Sequence, residues 1–283
     1  MKAELVLDAR AVIGECPLWD PRQGVLWWVD IPAGLVHRFE PDTGADSAIQ
    51  IGQDVGAVAL RSVGGLVMAL RSGFAFLDES SAVSCAAGLD QDDATLRLND
   101  ARCDPRGRLW AGTVRDDFAS GVAALYRLDP DLRLHRMLDG VTISNGLDWS
   151  PDGSLFYYAD SATAAVDAFD YDLERGSLGG RHRLLELPDE LGMPDGLTVD
   201  ADGFLWLAVF GGGQVRRHAP DGRLDAVIEL PVRWVTSCGF GGPNLDQLYV
   251  TSGRERDPDA PLAGGLFCVE PGTRGRPQNA FGG

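Results

Sequence analysis

Lysine is nearly missing from this chain: Lys2 is the only one in 283 residues. A Schiff-base lysine in the body of the protein and a Walker-type phosphate loop both need an internal lysine, so both are excluded. Basic residues as a whole are outnumbered 25 to 42, for a net charge of -17. Such a balance repels nucleic acid and anionic lipid, and neither is an expected partner. The five cysteines, Cys16, Cys85, Cys103, Cys238 and Cys268, are odd in number and contain no CxxC pair, which argues against a disulfide framework or a zinc knuckle. The four histidines, His37, His135, His182 and His218, form no HxH or HExxH spacing, and no GxSxG elbow occurs. Zinc hydrolysis built on histidine and serine chemistry of the α/β-hydrolase kind therefore lack their motifs. Long apolar runs are absent too. The start, MKAELVLDARAVIGE, has no signal-peptide stretch, and the most apolar window, 55–70, is interrupted by Arg61, so the expectation is a cytoplasmic protein with no membrane contact.

Turn residues, by contrast, are plentiful: 36 glycines and 16 prolines make up about 18% of the chain, against roughly 12% in average usage. They punctuate a repeat. A Gly-containing turn followed by a leucine and large apolar residues recurs as DPRQGVLWWVD, RSVGGLVMAL, DPRGRLWAGT, SPDGSLFYYAD, DADGFLWLAVF and NLDQLYVTS. The aligned leucines are Leu26, Leu66, Leu109, Leu155, Leu205 and Leu248, at gaps of 40, 43, 46, 50 and 43 residues. A further alternating segment follows each copy, from VHRFE at 36–40 to LFCVE at 266–270, with the period of two that marks strands packed on one face. Six units of this size, each with several strands, predict an all-β six-bladed β-propeller. The extra segment Glu4 to Asp8 is placed to complete the last blade, because an unclosed ring would expose a sheet edge. No linker divides the chain, so 1–283 reads as one domain with its core at about 4–270 and a loose tail at 271–283.

The repeat also aligns the chain against itself. Ten residues before the leucine, at the start of the innermost strand, stand Asn99, Asn145 and Asp195; in the first unit Glu15 stands eleven before. Taken singly, Asn or Asp before Gly is an ordinary turn former. Recurrence in register with Glu15 instead puts four oxygen-bearing side chains at one level around the channel, a set suited to a hard cation. The second and sixth units carry Gly56 and Cys238 at this position, leaving part of the ring open to a substrate.

The segments GECPLW at 14–19, RLNDARCDPRGRLWAGT at 97–113, SNGLDWSPDG at 144–153, PDGLTVDADGFLWLAVFGGG at 194–213 and TSCGFGGPNLDQLYVTS at 236–252 resemble the SMP-30/gluconolactonase/luciferin-regenerating family, in its regucalcin-like bacterial sugar-lactonase form. The likeness runs from about residue 4 to 270. It implies a six-bladed propeller holding one divalent cation and hydrolysing an aldonolactone, such as glucono-, xylono-, galactono- or arabinonolactone, to the aldonic acid. By position, Glu15, Asn145 and Asp195 match the family's metal ligands, and Asp195 is also placed as the proton acceptor. Arg97 and Asn99 match substrate-contacting positions, which moves Asn99 from the ligand set to the substrate. Asp117 stands where the family has a glutamate that touches sugar hydroxyls, and Cys16 stands where the family often has glycine.

The expected reaction is metal-assisted lactone hydrolysis, with the cation polarising the carbonyl and Arg97 holding hydroxyls or the oxyanion. Oxygen ligands suit calcium, zinc, ferrous iron, manganese or magnesium alike. Two alternatives stay open on the residues alone: a non-enzymatic calcium-binding propeller, in which Trp234 could serve as a partner contact, and a related propeller esterase or phosphotriesterase. The expected partner is a small-molecule sugar lactone, and the chain reads as a monomer.

Overall fold

The repeated Gly turns close the hairpin between the first and second strands of each blade. The structure is a computed structural model that describes residues 2–89 and 93–283. Among those residues, 24 strands form six four-stranded antiparallel sheets arranged as a propeller. In the third and fifth blades the hairpin is fixed by an aspartate that serves both backbone and side chain. Asp104 accepts hydrogen bonds from the backbone N–H of Arg106 and Arg108, at 2.8 and 3.0 Å, and from the Trp110 indole at 3.2 Å. Asp200 does the same with Asp202, Phe204 and the Trp206 indole, at 3.0, 2.9 and 3.0 Å. Each carboxylate is thus buried but satisfied, and it pins the first large residue of the next strand into the sheet.

Burial falls from the axis outward. Innermost strands are mostly buried, Val55–Leu60 and Ser144–Trp149 along their whole length, whereas outer strands such as Ala45–Gln50 and Val83–Gly88 are largely exposed. Adjacent blades pack their faces together in layers rich in aromatic residues, including Trp110, Trp149 and Phe156 between the third and fourth blades. The ring closes as expected: Glu4–Leu7 pairs with Leu266–Val269 in the sixth sheet, with Leu5 opposite Phe267. No helix among the described residues is long and apolar enough to cross a membrane.

The C-terminal segment differs from the loose tail that its Gly and Pro content suggested. It runs across one end of the channel and stitches the blades together. The Gly275 N–H donates to the Leu245 carbonyl at 2.7 Å, the Ala201 N–H to the Arg274 carbonyl at 2.9 Å, and the Phe281 N–H to the Leu60 carbonyl at 2.7 Å. Arg276 reaches the Asp148 carboxylate and the Trp149 carbonyl, and Phe281 is 0% exposed among residues of the second and third blades. The residues that should leave the segment loose serve here to let an extended chain follow a curved floor. Truncating that anchor, Phe281→Ala, is expected to cost about 3–5 kcal/mol, read in thermal unfolding as a fall in Tm of roughly 10 °C.

Candidate active site

Every innermost strand changes register near its N-terminal end. The slips lie between Glu15 and Leu18, Val55 and Ala57, Leu98 and Ala101, Ser144 and Leu147, Pro194 and Leu197, and Val235 and Ser237. A bulge at this place releases a residue from the ladder and re-aims its side chain. Glu15, Asn99, Asn145 and Asp195 stand at four of these bulges and line one cavity of about 270 Å³. Arg97, two residues before Asn99, joins them.

The glycines that follow two of these residues are not turn formers. Gly146 and Gly196 lie within innermost strands and do not have positive φ. A Cβ on Gly146 would sit 2.5 Å from the Asp195 carbonyl oxygen, and one on Gly196 would sit 2.8 Å from the Ser237 Cα. Only glycine lets neighbouring strands approach this closely at the axis.

Hydrogen bonds tie the amides into a chain. Arg97 Nη1 donates to Asn99 Oδ1 at 2.7 Å, and Asn99 Nδ2 donates to Asn145 Oδ1 at 2.8 Å and to the Ser144 carbonyl at 2.7 Å. Asn145 Nδ2 donates to Ser161 Oγ at 2.8 Å, which donates to the Pro194 carbonyl at 2.6 Å. The carboxylates are less well served. Glu15 accepts the Cys16 N–H at 2.9 Å, whereas Asp195 Oδ1 is buried with no hydrogen-bond partner.

Burial, with the nearby Asp100 adding to it, pushes the Glu15 carboxyl up to about 8. Burial and then the Glu15 charge hold the Asp195 carboxyl well above its ordinary range. Asp100 is raised to about 6, again by burial, with Arg102 opposing. Burial lowers the Arg97 guanidinium, with Asp54 opposing from 3.9 Å.

Cys16 has φ of +52°, the left-handed region that favours glycine. Its thiol is held by the Val58 carbonyl at 3.2 Å.

Two positions differ from expectation. Asp117 does not line the cavity: its carboxylate turns back to Arg115 Nε at 2.7 Å and Nη2 at 2.8 Å and accepts the Ala119 N–H. In the sixth blade, Thr236 stands at the bulge and lines the cavity, while Cys238 is buried two residues further on, its thiol against the Trp206 carbonyl. Trp234 also lies outside the lining; it packs on Phe210, which is part of it, with ring centroids 4.9 Å apart. The repeat gave no signal for Ser161, for the buried Asp100 or for the apolar wall of Phe118, Ile143, Met193 and Phe210.

Fold and site together define a six-bladed propeller with two acids, two amides and an arginine converging at the axis. The family model described as "SMP-30/Gluconolactonase/LRE-like region" matches residues 13–254, and the chain belongs to that family. It is 40% identical over 296 residues to regucalcin of Oryctolagus cuniculus, covering 100% of this chain and 99% of that one. It is 38% identical over 291 residues to "Putative sugar lactone lactonase YvrE" of Bacillus subtilis, with the same coverage of 100% and 99%. Among solved structures, a luciferin-regenerating enzyme superposes with a TM-score of 0.93 at 28% identity, covering 99% of both chains. Regucalcin of Agrobacterium tumefaciens, described as a calcium-binding protein, gives 0.94 at 26%, covering 99% of this chain and 98% of that one.

Raised carboxyl pKa values make a stability statement. A carboxyl whose folded value lies above its unfolded one costs stability increasingly as pH rises between the two, here from 4.5 to about 8 for Glu15. In chelator, the wild-type protein is therefore expected to lose stability across that range. Asp195→Asn, which removes one of the opposed charges, should be the more stable variant at pH 8 by on the order of 2 kcal/mol in urea denaturation.

Proposed function

We propose that the protein hydrolyses a sugar lactone to its aldonic acid with one divalent cation bound at the axis. The observation that carries this reading is the buried, unpartnered Asp195 Oδ1 beside Glu15 in a cavity that Arg97, Asn99, Asn145, Ser161, Thr236 and apolar groups also line, with Glu255 and Arg256 exposed among its lining residues. Two neighbouring buried carboxylates, one of them with an unpartnered oxygen, favour a bound cation. Among the described residues no three His, Cys, Asp or Glu side chains group as ligands. The set that fits is therefore Glu15, Asp195 and the Asn145 Oδ1, with water completing a hard-cation shell. Asn145 Oδ1 accepts one hydrogen bond and keeps a second lone pair for this purpose. When bound, the cation supplies Lewis-acid polarisation of the lactone carbonyl and acidifies water.

The chain's own groups do the rest. Asp195 accepts a proton from the water whose oxygen attacks the carbonyl carbon. The ring C–O bond then breaks, and the proton passes to the departing alkoxide, giving the hydroxy acid. Among the described residues Arg97 hydrogen-bonds within the chain through Nη1 alone, so the other edge of its guanidinium can hold substrate oxygen. Asn99 orients both Arg97 and Asn145 through its two amide ends. The regucalcin described as calcium-binding and the Bacillus relative named for lactone hydrolysis support a cation and a cyclic ester at this site.

In a pH-indicator assay over aldonolactones, Asp195→Ala is expected to lower kcat by about 10²-fold or more while leaving the thermal unfolding transition cooperative. Thorough chelation should abolish turnover, and restoring single cations in turn should identify the active ones. Undiminished hydrolysis in chelator, with no metal by elemental analysis, would remove the cation from the reaction.

A further inference from the structure

The first and fourth blades make the same turn at the end of their second strand. Asp30 accepts the N–H of Val12 and of Ile13 at 2.9 and 3.1 Å, and Asp160 accepts the N–H of Thr142 and of Ile143 at 3.0 and 2.9 Å. The next residue returns its own N–H to the same segment, Ile31 to the Ile13 carbonyl and Ser161 to the Ile143 carbonyl, each at 3.0 Å. Both side chains line the axial cavity. An isoleucine thus serves this turn as well as a serine does, and the turn has no need of the Ser161 hydroxyl.

That hydroxyl lies instead between two residues of the site. Ser161 Oγ carries one proton, and the Pro194 carbonyl at 2.6 Å can only accept it. Toward the Asn145 amide at 2.8 Å, Oγ has lone pairs alone, so the end of the amide that faces it must be Nδ2 and the other end must be oxygen. The opposite side of the chain agrees. Arg97 can only donate to Asn99 Oδ1, and the Ser144 carbonyl can only accept from Asn99 Nδ2, which presents its second N–H to Asn145 Oδ1. The bonds therefore run with one polarity from an obligate donor to an obligate acceptor, and Ser161 is the last side chain in the series.

Without the hydroxyl, Asn145 Nδ2 has no hydrogen-bond partner among the described residues, although Asn145 is 6% exposed. The amide is then held by the Asn99 bond alone and can turn about its broad terminal torsion. The Pro194 carbonyl belongs to the peptide that leads into Asp195, so the same hydroxyl joins the Asn145 amide to the start of the Asp195 bulge.

We propose that Ser161 is a positioning residue for the axial cation, fixing Asn145 with its Oδ1 available as a ligand and tying that amide to the backbone before Asp195. Partners of this kind, one bond removed from the metal, set the orientation of its ligands. The inference rests on the cation reading of the site and adds the side chain that orients one of the ligands.

The test titrates calcium chloride, and separately manganese chloride, into the chelator-treated protein by calorimetry. Ser161→Ala removes the hydroxyl, and Ser161→Cys keeps its shape but leaves only a weak acceptor. Each is expected to raise the cation Kd by about 10–100-fold. Thr163→Val is the control, because Thr163 Oγ1 donates to the Asp160 carbonyl at 2.8 Å in the same turn and makes no bond to the amide chain. It should lower Tm and leave Kd within about 2-fold of wild type. A rise below about 5-fold in both serine variants would overturn the positioning role and leave the cation reading intact. A rise with Thr163→Val as large as theirs would assign the loss to the turn and overturn the role as well. Wild-type protein that bound none of calcium, manganese, zinc, ferrous iron and magnesium would overturn the cation reading itself, and this inference with it.

Discussion

Burial of three carboxylates at the axis of a closed ring is the constraint on which the rest of this structure turns. Burial raises the proton affinity of all three; Asp100 adds to it at Glu15, Glu15 and Asp100 add to it at Asp195, and Asp148 adds to it at Asp100, while Arg97 opposes it at Glu15 and Arg102 at Asp100. A single blade could not hold such a set. Six sheets closed by the Glu4–Leu7 strand, with their innermost strands mostly buried, supply the rigidity that keeps like charges together. The floor contributes as well. Arg102 contacts Asp148 at 3.3 Å and Gln278 at 3.0 Å, so the cation opposing Asp100 is positioned partly by the C-terminal segment. The tail thus belongs to the electrostatics of the channel as well as to its closure.

Much of this was legible in the sequence where the signal is local. The blade count follows from a hairpin aspartate or glycine followed by a leucine, because that grouping satisfies its own backbone within a few residues, as Asp104 and Asp200 do. Glu15, Asn99, Asn145 and Asp195 could be lined up because each lies a nearly constant distance from its hairpin. The count failed in the sixth blade, where ten residues back from Leu248 is Cys238, two residues past the bulge. There the chain has rejoined its ladder and the side chain points into the packing.

Side-chain direction and tertiary cover were not legible. Whether Asp117 faces substrate or solvent is decided by Arg115 and by the left-handed backbone at Phe118, and neither choice has a periodic signature. The closing segment from Arg274 to Gly283 misled for a related reason. Its bonds go to Leu60, Gly107, Val199 and Leu245, residues scattered over the whole chain, so a reading confined to the segment's own composition cannot see them. Even Asn145-Gly146 and Asp195-Gly196, which look like turns, owe their glycines to the innermost strand of the next blade.

The same geometry separates the axis from the rim. At the axis, each bulge is locked between two neighbours: a Cβ at Gly146 or Gly196 already collides with the next blade, so a change there disturbs several blades at once. At the mouth, the Phe118 turn is held by bonds from Arg115 to Ala119 and, through Asp116, by Thr95 and Arg71. Side chains there can change without moving the acids below. A propeller of this kind can therefore keep the acids and amides of its axis while altering its rim.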